Sequence, residues 1–321
     1  MNVSRRTWLV VCASTAATAA AARPALAEAD KVRIAIAAVY PPFSVPFAAQ
    51  ELGYYKALNL DAEITVYPGG GPAQEAMAAG AVDLLTNSPA GAALAISKGV
   101  KQHIVAMTGS VTPSGWYVVV AGDSAVKTLK DLDGKTVGVS AKGSSTDFMA
   151  LAAAKRAGIT VKTIPLGQAL SNAVLSHQVD AGIFNPFLAY KAILDEHARE
   201  VADLGKLLGP VVPDTWVASD KLINERPDVL RRTLRANLRA VDYMQRNERW
   251  ALPFLSRYLD NKDERVLKLV YDNTIKPLRT DGLVKAEWLR GSLELASLVG
   301  LPAAASVDRI FDPKFVPISL K

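Results

Sequence analysis

Cysteine is nearly absent from this chain, which contains one among its 321 residues, Cys12. Cys12 lies in an N-terminal apolar stretch that we expect to be removed, so the mature chain has no thiol. Disulfides, thiolate catalysis and cysteine-based metal sites are then excluded, and the core must hold without covalent cross-links.

Histidine is also scarce. The three histidines, His103, His177 and His197, have no second histidine or acidic residue at metal-ligand or catalytic spacing. The chain has no HxxxH pair, Walker phosphate loop or GxSxG elbow. A nucleophile at Ser144 or Ser145 would lack a base. We therefore expect no metal, no cofactor and no enzymatic activity.

The N-terminus is typical of an export signal. Arg5 and Arg6 precede a short apolar run that ends in small residues, which predicts a cleaved signal peptide at 1–27. The Ser4 to Leu9 segment resembles a twin-arginine signal, with ordinary secretion as the alternative. Cys12 follows Val11 where a lipid-modification site needs a small residue, so we expect no lipid anchor. The predicted location is the periplasm.

Charge and length limit the function further. The precursor has 37 basic and 31 acidic residues, and removal of 1–27 leaves 34 basic residues and a formal net charge of +3. The remaining 294 residues suffice for one large or two medium domains.

Short apolar runs alternate with helical patterns along the mature chain, which indicates βαβ units with parallel sheets. The predicted strands are 32–38, 61–67, 82–86, 116–121, 135–140, 160–165 and 181–184, and the predicted helices are 46–57, 72–79, 145–157 and 170–176. Beyond about residue 212 we expect strands largely to stop and long helices to pack back onto the first lobe.

The clearest helix is predicted at 227–247, with Pro227 in its first turn. Leucines at a helical spacing form one face, and a second face is basic. The members of that basic face are Arg231, Arg232, Arg235, Arg239 and Arg246. Such a stripe can contact nucleic acid or anionic lipid, but we interpret it as a solvated helix face because the mature net charge is small.

Several segments together carry a resemblance to a known family. They are 49–55 (AQELGYY), 58–60 (LNL), the glycines 69–71, 79–83 (AGAVD), 129–139 (LKDLDGKTVGV), 179–181 (VDA), 185–187 (NPF) and the region of Asp308 and Asp312. In this order they resemble the nitrate/sulfonate/taurine class of ABC-transporter substrate-binding proteins, which includes relatives that bind pyrimidine precursors.

The resemblance implies an α/β, two-lobed type II periplasmic-binding-protein fold, each lobe a mainly parallel sheet flanked by helices. We place the first lobe at 28–112 and 213–321 and the second at 113–212, with crossings near 110–116 and 211–216. It also implies a monomer that delivers a small-molecule ligand to an ABC permease. An exported enzyme or a solute sensor on the same scaffold are the alternatives, although the cysteine-rich motif of the related pyrimidine-synthesising enzymes is absent.

Ligands of open α/β sheets bind beyond the carboxyl ends of strands. Polar and aromatic residues follow four predicted strands there, with core packing, turns or helix capping as the alternatives. The candidates are Tyr40, Phe43 and Ser44 after the first strand, Gly70 after the second, Asn87 and Ser88 after the third, and Asn185 and Phe187 after the last, with Trp216 near the second crossing.

The strongest candidate is the segment Ser144, Ser145 and Thr146, which opens a helix. Hydroxyl groups and the positive end of the helix dipole converge there, and Lys142 is close enough in sequence to add to the field. We therefore expect an organic anion, a sulfonate or carboxylate, with Tyr40, Phe43 and Trp216 flanking its body. Neutral or cationic heterocycles are the alternative. Asn185 is expected to contribute to selectivity.

Overall fold

The computed structural model describes residues 28–108, 116–195, 197–209, 212–298 and 306–320. The predicted signal peptide lies outside these residues, as do most of the first predicted crossing and the start of the second. The domain boundaries at 112/113 and 212/213 therefore stay a prediction.

Ten strands form two five-stranded sheets in the described residues. One sheet has the order β2-β1-β3-β10-β4 and the other β7-β6-β8-β5-β9. The strands are β1 (Asp30–Ile36), β2 (Leu60–Val66), β3 (Leu84–Asn87), β4 (Gln102–Met107), β5 (Tyr117–Ala121), β6 (Lys135–Val139), β7 (Val161–Pro165), β8 (Ala181–Phe184), β9 (Ala198–Asp203) and β10 (Thr215–Ser219).

Helices flank both sheets. They are α1 (Val45–Glu51), α2 (Tyr54–Ala57), α3 (Gly70–Ala78), α4 (Pro89–Ser97), α5 (Ser145–Ala157), α6 (Leu170–Leu175), α7 (Pro186–Leu194), α8 (Leu204–Leu208), α9 (Asp220–Glu225), α10 (Pro227–Arg246), α11 (Glu248–Leu259), α12 (Glu264–Val270), α13 (Ala286–Leu298) and α14 (Val307–Ile310). We call the β2-β1-β3-β10-β4 sheet with α1–α4 and α9–α14 the first lobe, and the other sheet with α5–α8 the second lobe.

The two-lobed α/β architecture predicted from the sequence is confirmed. In each sheet one strand runs against the others: β10 is antiparallel to β3 and β4, and β5 is antiparallel to β8 and β9. The chain thus changes sheet between β4 and β5 and changes back between β9 and β10. Strands β3, β5 and β8 are buried along all or almost all of their length, as expected where helices cover both faces of a sheet.

Three details differ from the sequence-based expectation. The helix predicted at 46–57 is two helices, because Gly53 adopts a left-handed conformation at φ 73° and ends the first. Beyond residue 212, where strands were expected largely to stop, the described residues contain one strand, β10, and it lies inside the first sheet. Trp216, predicted at the end of a crossing, is therefore a strand residue paired with Thr86.

Helix α10 shows how the C-terminal helices join the first lobe. Its leucine face is buried in one apolar core together with β1, β3 and β10. On the basic face, Arg232 Nη2 lies 2.6 Å from the Asp30 carboxylate, and Arg239 donates to the carbonyl of Leu320 at 3.0 Å. Arg232 and Arg239, which were predicted to lie on a solvated face, therefore bind the helix to the first lobe.

Among the helices of the described residues, none has both the length and the apolar composition required to cross a bilayer.

Candidate functional site: the cleft between the lobes

A cleft of about 810 Å³ lies between the two lobes. Its walls are the segments that follow the carboxyl ends of β1, β2 and β3 in the first lobe and of β6, β7 and β8 in the second. This is where open α/β sheets bind ligands. The volume is within the range of small-molecule sites.

Nine of the twelve predicted ligand contacts line this cleft. They are Tyr40, Phe43, Gly70, Asn87, Ser144, Ser145, Thr146, Asn185 and Phe187. Parallel strands place their carboxyl ends at one sheet edge, which is why residues from distant segments meet here.

The other three predicted residues lie outside the cleft. Ser44 is fully buried beneath it, and Ser88 caps α4 by accepting a hydrogen bond from the Gly91 N–H at 3.0 Å. Trp216 is 4% exposed and packs in the core of the first lobe. A different tryptophan, Trp116, lines the cleft.

The N-terminus of α5 presents a cluster of hydroxyl groups. Ser144 is the N-cap and accepts a hydrogen bond from the Asp147 N–H. Its Oγ lies 2.8 Å from Thr146 Oγ1, and Ser140 Oγ lies 3.0 Å from both. All three line the cleft. Because the first N–H groups of a helix lack intrahelical partners, this end offers several donors to an acceptor.

Lys142 does not contribute to the cleft as predicted. Its ammonium lies 3.7 Å from Asp147 Oδ1 and donates to the hydroxyl of Thr163. The same carboxylate accepts hydrogen bonds from Thr163 Oγ1 at 2.6 Å and from the Gly143 N–H at 2.9 Å. The positive charge is thus balanced beside the helix, away from the cleft lining, and the helix end itself must provide the field.

The glycine turn before α3 brings the lobes into contact beside the cleft. A Cβ on Gly69 would lie 2.5 Å from the Cβ of Ala141, and a Cβ on Gly71 would lie 3.0 Å from the carbonyl oxygen of Lys142. Gly69 also has φ 152°, which disfavours other residues. The absence of side chains at this turn thus permits a close approach between the two lobes.

Asn87 is held in an amide network of the first lobe. Its Nδ2 donates to Gln74 Oε1 at 3.0 Å, and its Oδ1 accepts from the Ser88 N–H at 2.8 Å. A Cβ at position 70 would lie 2.9 Å from Asn87 Oδ1, so a larger residue there would displace the Asn87 side chain from this network.

Asn185 caps α7 and faces the cleft. Its Oδ1 accepts a hydrogen bond from the Leu188 N–H at 3.1 Å, so capping uses the side-chain oxygen. The amide nitrogen is then the group with which this side chain can serve a ligand. The sequence offered a turn residue before Pro186 as the alternative to ligand contact, and the structure shows a helix cap that leaves the amide nitrogen available to a ligand.

Aromatic rings form one wall of the cleft. The ring centroids of Tyr40 and Phe43 are 5.0 Å apart in an edge-to-face arrangement, and Tyr40 lies 5.4 Å from Trp116. Burial raises the pKa of the Tyr40 hydroxyl well above its usual range, so this side chain stays neutral. Sequence reasoning noted Trp116 only as the start of a strand and the end of a crossing.

Asp214 is a cleft residue that sequence reasoning missed entirely. It is 4% exposed, and burial raises the pKa of its carboxyl from 3.8 to about 7. Ser145 Oγ lies 3.0 Å from Asp214 Oδ1 and 3.2 Å from the carbonyl oxygen of Pro213. The signal available was its place at the predicted second crossing, where contacts from both lobes meet.

Other ionisable groups are also present at the cleft, namely Lys191, Asp195, His197 and Asp260. Elsewhere, His103 Nδ1 lies 2.7 Å from Asp220 and His177 Nε2 lies 3.0 Å from Asp123. The acidic partners that short-range spacing did not supply thus come from distant segments. In the described part of the chain, no three His, Cys, Asp or Glu side chains form a metal-binding group.

The two lobes and the cleft between them define a protein of the periplasmic-binding fold. The chain belongs to the NMT1/THI5-like family, whose model matches residues 41–250. A protein of Brucella abortus strain 2308, whose name assigns it a binding role still to be proven, is 25% identical over 287 residues. That match covers 84% of this chain and 86% of the relative.

Solved structures share the fold at low sequence identity. The alkanesulfonate-binding protein SsuA of Xanthomonas axonopodis pv. citri, bound to MOPS, has a TM-score of 0.74 at 18% identity and covers 89% of this chain and 99% of its own. The nitrate-binding protein NrtA of Synechocystis PCC 6803 has a TM-score of 0.70 at 13% identity, with coverage of 90% and 87%. These matches confirm the fold that the resemblance implied.

Proposed function

We propose that this protein is the periplasmic solute-binding component of an ABC importer and that it captures a small organic anion, a sulfonate or carboxylate, between its lobes. The observation that carries the proposal is the α5 N-terminus, which directs the hydroxyls of Ser144 and Thr146 into the cleft. Oriented N–H and O–H donors at a helix N-terminus are suited to an anionic group.

The surroundings of this helix end favour an organic anion over a bare inorganic one. Tyr40, Phe43 and Trp116 provide an apolar wall for a hydrocarbon or aromatic body. The volume of about 810 Å³ exceeds what a small inorganic ion needs. The related fold of SsuA, described as alkanesulfonate-binding, supports the same ligand class.

Binding from both walls also gives a means of delivery. Ser144 and Asn185 belong to the second lobe and Tyr40 and Phe43 to the first, so only an arrangement with the lobes together completes the site. A ligand that contacts both lobes stabilises that arrangement. We propose that a permease in the inner membrane receives the solute from the closed monomer.

Calorimetric titration of the mature chain, residues 28–321, tests the ligand class. The panel contains butanesulfonate, benzenesulfonate, butyrate and nitrate, with butanesulfonamide and butylamine as neutral and cationic counterparts. Mass spectrometry of the recovered ligand distinguishes binding from turnover. Saturable binding of a sulfonate or carboxylate without conversion supports the proposal. Binding of the neutral or cationic compounds alone, or conversion of the bound compound, contradicts it.

A further inference from the structure

One side chain of α13 holds the second crossing between the lobes. Ser292 Oγ accepts a hydrogen bond from the Val212 N–H at 3.0 Å and lies 3.2 Å from the Val212 carbonyl oxygen. Ser292 is 6% exposed and Val212 is 2% exposed, and the two residues are 80 positions apart in the chain. A single serine thus serves both backbone groups of Val212 in a buried position.

Helix α13 lies where the two lobes meet. It contacts α4 of the first lobe and α5 of the second lobe. The side chain of Val212 belongs to the apolar core of the first lobe. The hydrogen bonds of Ser292 therefore fix the crossing at the point where the chain returns from the second sheet to the first.

The next two residues of the crossing contact the proposed anion site. Ser145 Oγ, on the first turn of α5, lies 3.2 Å from the carbonyl oxygen of Pro213 and 3.0 Å from Asp214 Oδ1. A continuous set of polar contacts therefore leads from Ser292 through the crossing to the helix end that lines the cleft. Hydrogen-bond networks of this kind can carry energetic coupling between separate parts of a protein.

The contact between Ser292 and the crossing can be released at little cost. The Ser292 hydroxyl has one proton, and the carbonyl oxygen of Trp288, one helical turn earlier, lies 3.3 Å from Ser292 Oγ. If the crossing moves, the hydroxyl can donate to its own helix, as serine commonly does, and it stays satisfied. A cavity of about 30 Å³, lined by Ser292, Val212 and residues of both lobes, gives the crossing room to move.

We infer that Ser292 is a positioning residue for the solute site, which stabilises the closed arrangement of the lobes by holding Val212. This inference rests on the proposed function and concerns how the proposed site closes. Ser292 does not line the cleft itself, so it acts through Ser145. With the crossing held, Pro213 and Asp214 keep Ser145 in place at the α5 N-terminus. With the crossing released, the second lobe can rotate away and the solute can leave.

Ser292→Ala tests the inference, and Ser297→Ala is the matched control. Ser297 is exposed on the same helix, and its hydroxyl donates to the Glu294 carbonyl oxygen at 2.7 Å. We expect butanesulfonate and benzenesulfonate to dissociate about tenfold faster from Ser292→Ala in stopped-flow measurements, because two hydrogen bonds of ordinary strength are lost. Ligand-free Ser292→Ala should also have a larger radius of gyration than the wild type in small-angle X-ray scattering. Ser297→Ala should match the wild type in both measurements.

A double-mutant cycle with Ser145→Ala tests whether the effect passes through Ser145. If it does, Ser292→Ala should add little to the loss of sulfonate affinity that Ser145→Ala causes. The effects of independent sites would add instead. Additive losses in the cycle would contradict a role of Ser292 that is exerted through Ser145.

The outcomes separate the inference from the function it rests on. A lower melting temperature of Ser292→Ala, with unchanged sulfonate dissociation and an unchanged radius of gyration, would show that Ser292 supports the fold alone and would overturn its positioning role. If neither sulfonate binds the wild type, the proposed anion site fails. The scattering comparison of the ligand-free proteins then decides the role of Ser292 by itself.

Discussion

Phe148 of the second lobe is buried against Ala90 of the first lobe. The two residues form a small apolar cluster with Leu94 at the side of the cleft, and Phe148 is 9% exposed. Phe148 belongs to α5, the helix whose N-terminus is proposed to hold the anion, so we expect this contact to couple ligand binding to the approach of the lobes.

Phe148→Ala should therefore weaken ligand binding more than it weakens the fold. Burial of a phenylalanine side chain contributes about 1.5–3 kcal/mol, and here part of that stabilisation belongs to the closed arrangement. We expect about tenfold weaker binding and less compaction on ligand addition in small-angle X-ray scattering. Phe148→Leu, which keeps most of the contact, is the control. An unchanged affinity in Phe148→Ala would show that this cluster does not stabilise closure.

A second contact between the lobes can be tested at Gly69. The added methyl of Gly69→Ala would lie 2.5 Å from the Cβ of Ala141. We expect it to hold the lobes apart and to weaken binding by about tenfold or more. Gly80→Ala is a matched control, because Gly80 also has a positive φ, at 70°, but its added methyl meets no atom within 4 Å. Equal losses of affinity in the two variants would indicate backbone strain rather than an interlobe clash.

Asn185→Asp should change selectivity. The carboxylate can still cap α7 by accepting from the Leu188 N–H, but it adds a negative charge to the cleft wall. We expect butanesulfonate to bind at least tenfold more weakly, with the affinity of its neutral analogue butanesulfonamide unaltered. Equal changes for both compounds in calorimetric titration would remove Asn185 from the site.

The stability of the ligand-free protein should depend on pH through Asp214. Its pKa is about 7 in the folded state against the usual 3.8, so between these values the folded protein holds a proton that the unfolded chain has lost. The contribution of this group to stability is therefore complete below pH 3.8 and is lost as pH rises to about 7. The loss is at most about 4 kcal/mol, from 1.36 kcal/mol per pKa unit.

Denaturant unfolding of the wild type and of Asp214→Asn, at pH values from 4 to 8, measures this loss. The difference in unfolding free energy should move in favour of the variant as pH rises. Subtraction is needed because Asp30 and Asp263, whose pKa values are lowered by arginine partners, act in the opposite direction at lower pH. A difference that does not vary with pH would contradict the assigned pKa.

The sequence predicted the helix at α5 and the strand at β8 with the correct ends. Ser144 and Gly158 are strong local signals at the two ends of α5, and 181–184 is a short apolar run followed by Asn-Pro. Nine of the twelve predicted contacts line the cleft, since strand ends can be located from local patterns. Such patterns depend on few neighbouring residues.

Contacts between distant segments could not be read in this way. Asp214 is buried, and the residue that donates a hydrogen bond to it, Ser145, is 69 residues earlier in the chain. Contacts between distant segments also explain why Trp116 lines the cleft where the sequence predicted Trp216. The pairing of β10 with β3 and β4 packs Trp216 in the core. Neither the pairing of β10 nor the resulting orientation of its side chains follows from a local pattern.

The central claim is that the α5 N-terminus holds the anionic group of the solute, and calorimetric titration of Ser144→Ala/Ser145→Ala with the tightest-binding sulfonate tests it most directly. Ser219→Ala is the control, because Ser219 caps α9 outside the cleft, and loss of either cap costs about 1 kcal/mol of stability. We expect at least tenfold weaker binding in the double variant and unchanged affinity in Ser219→Ala. Unchanged sulfonate affinity in the folded double variant would contradict the claim.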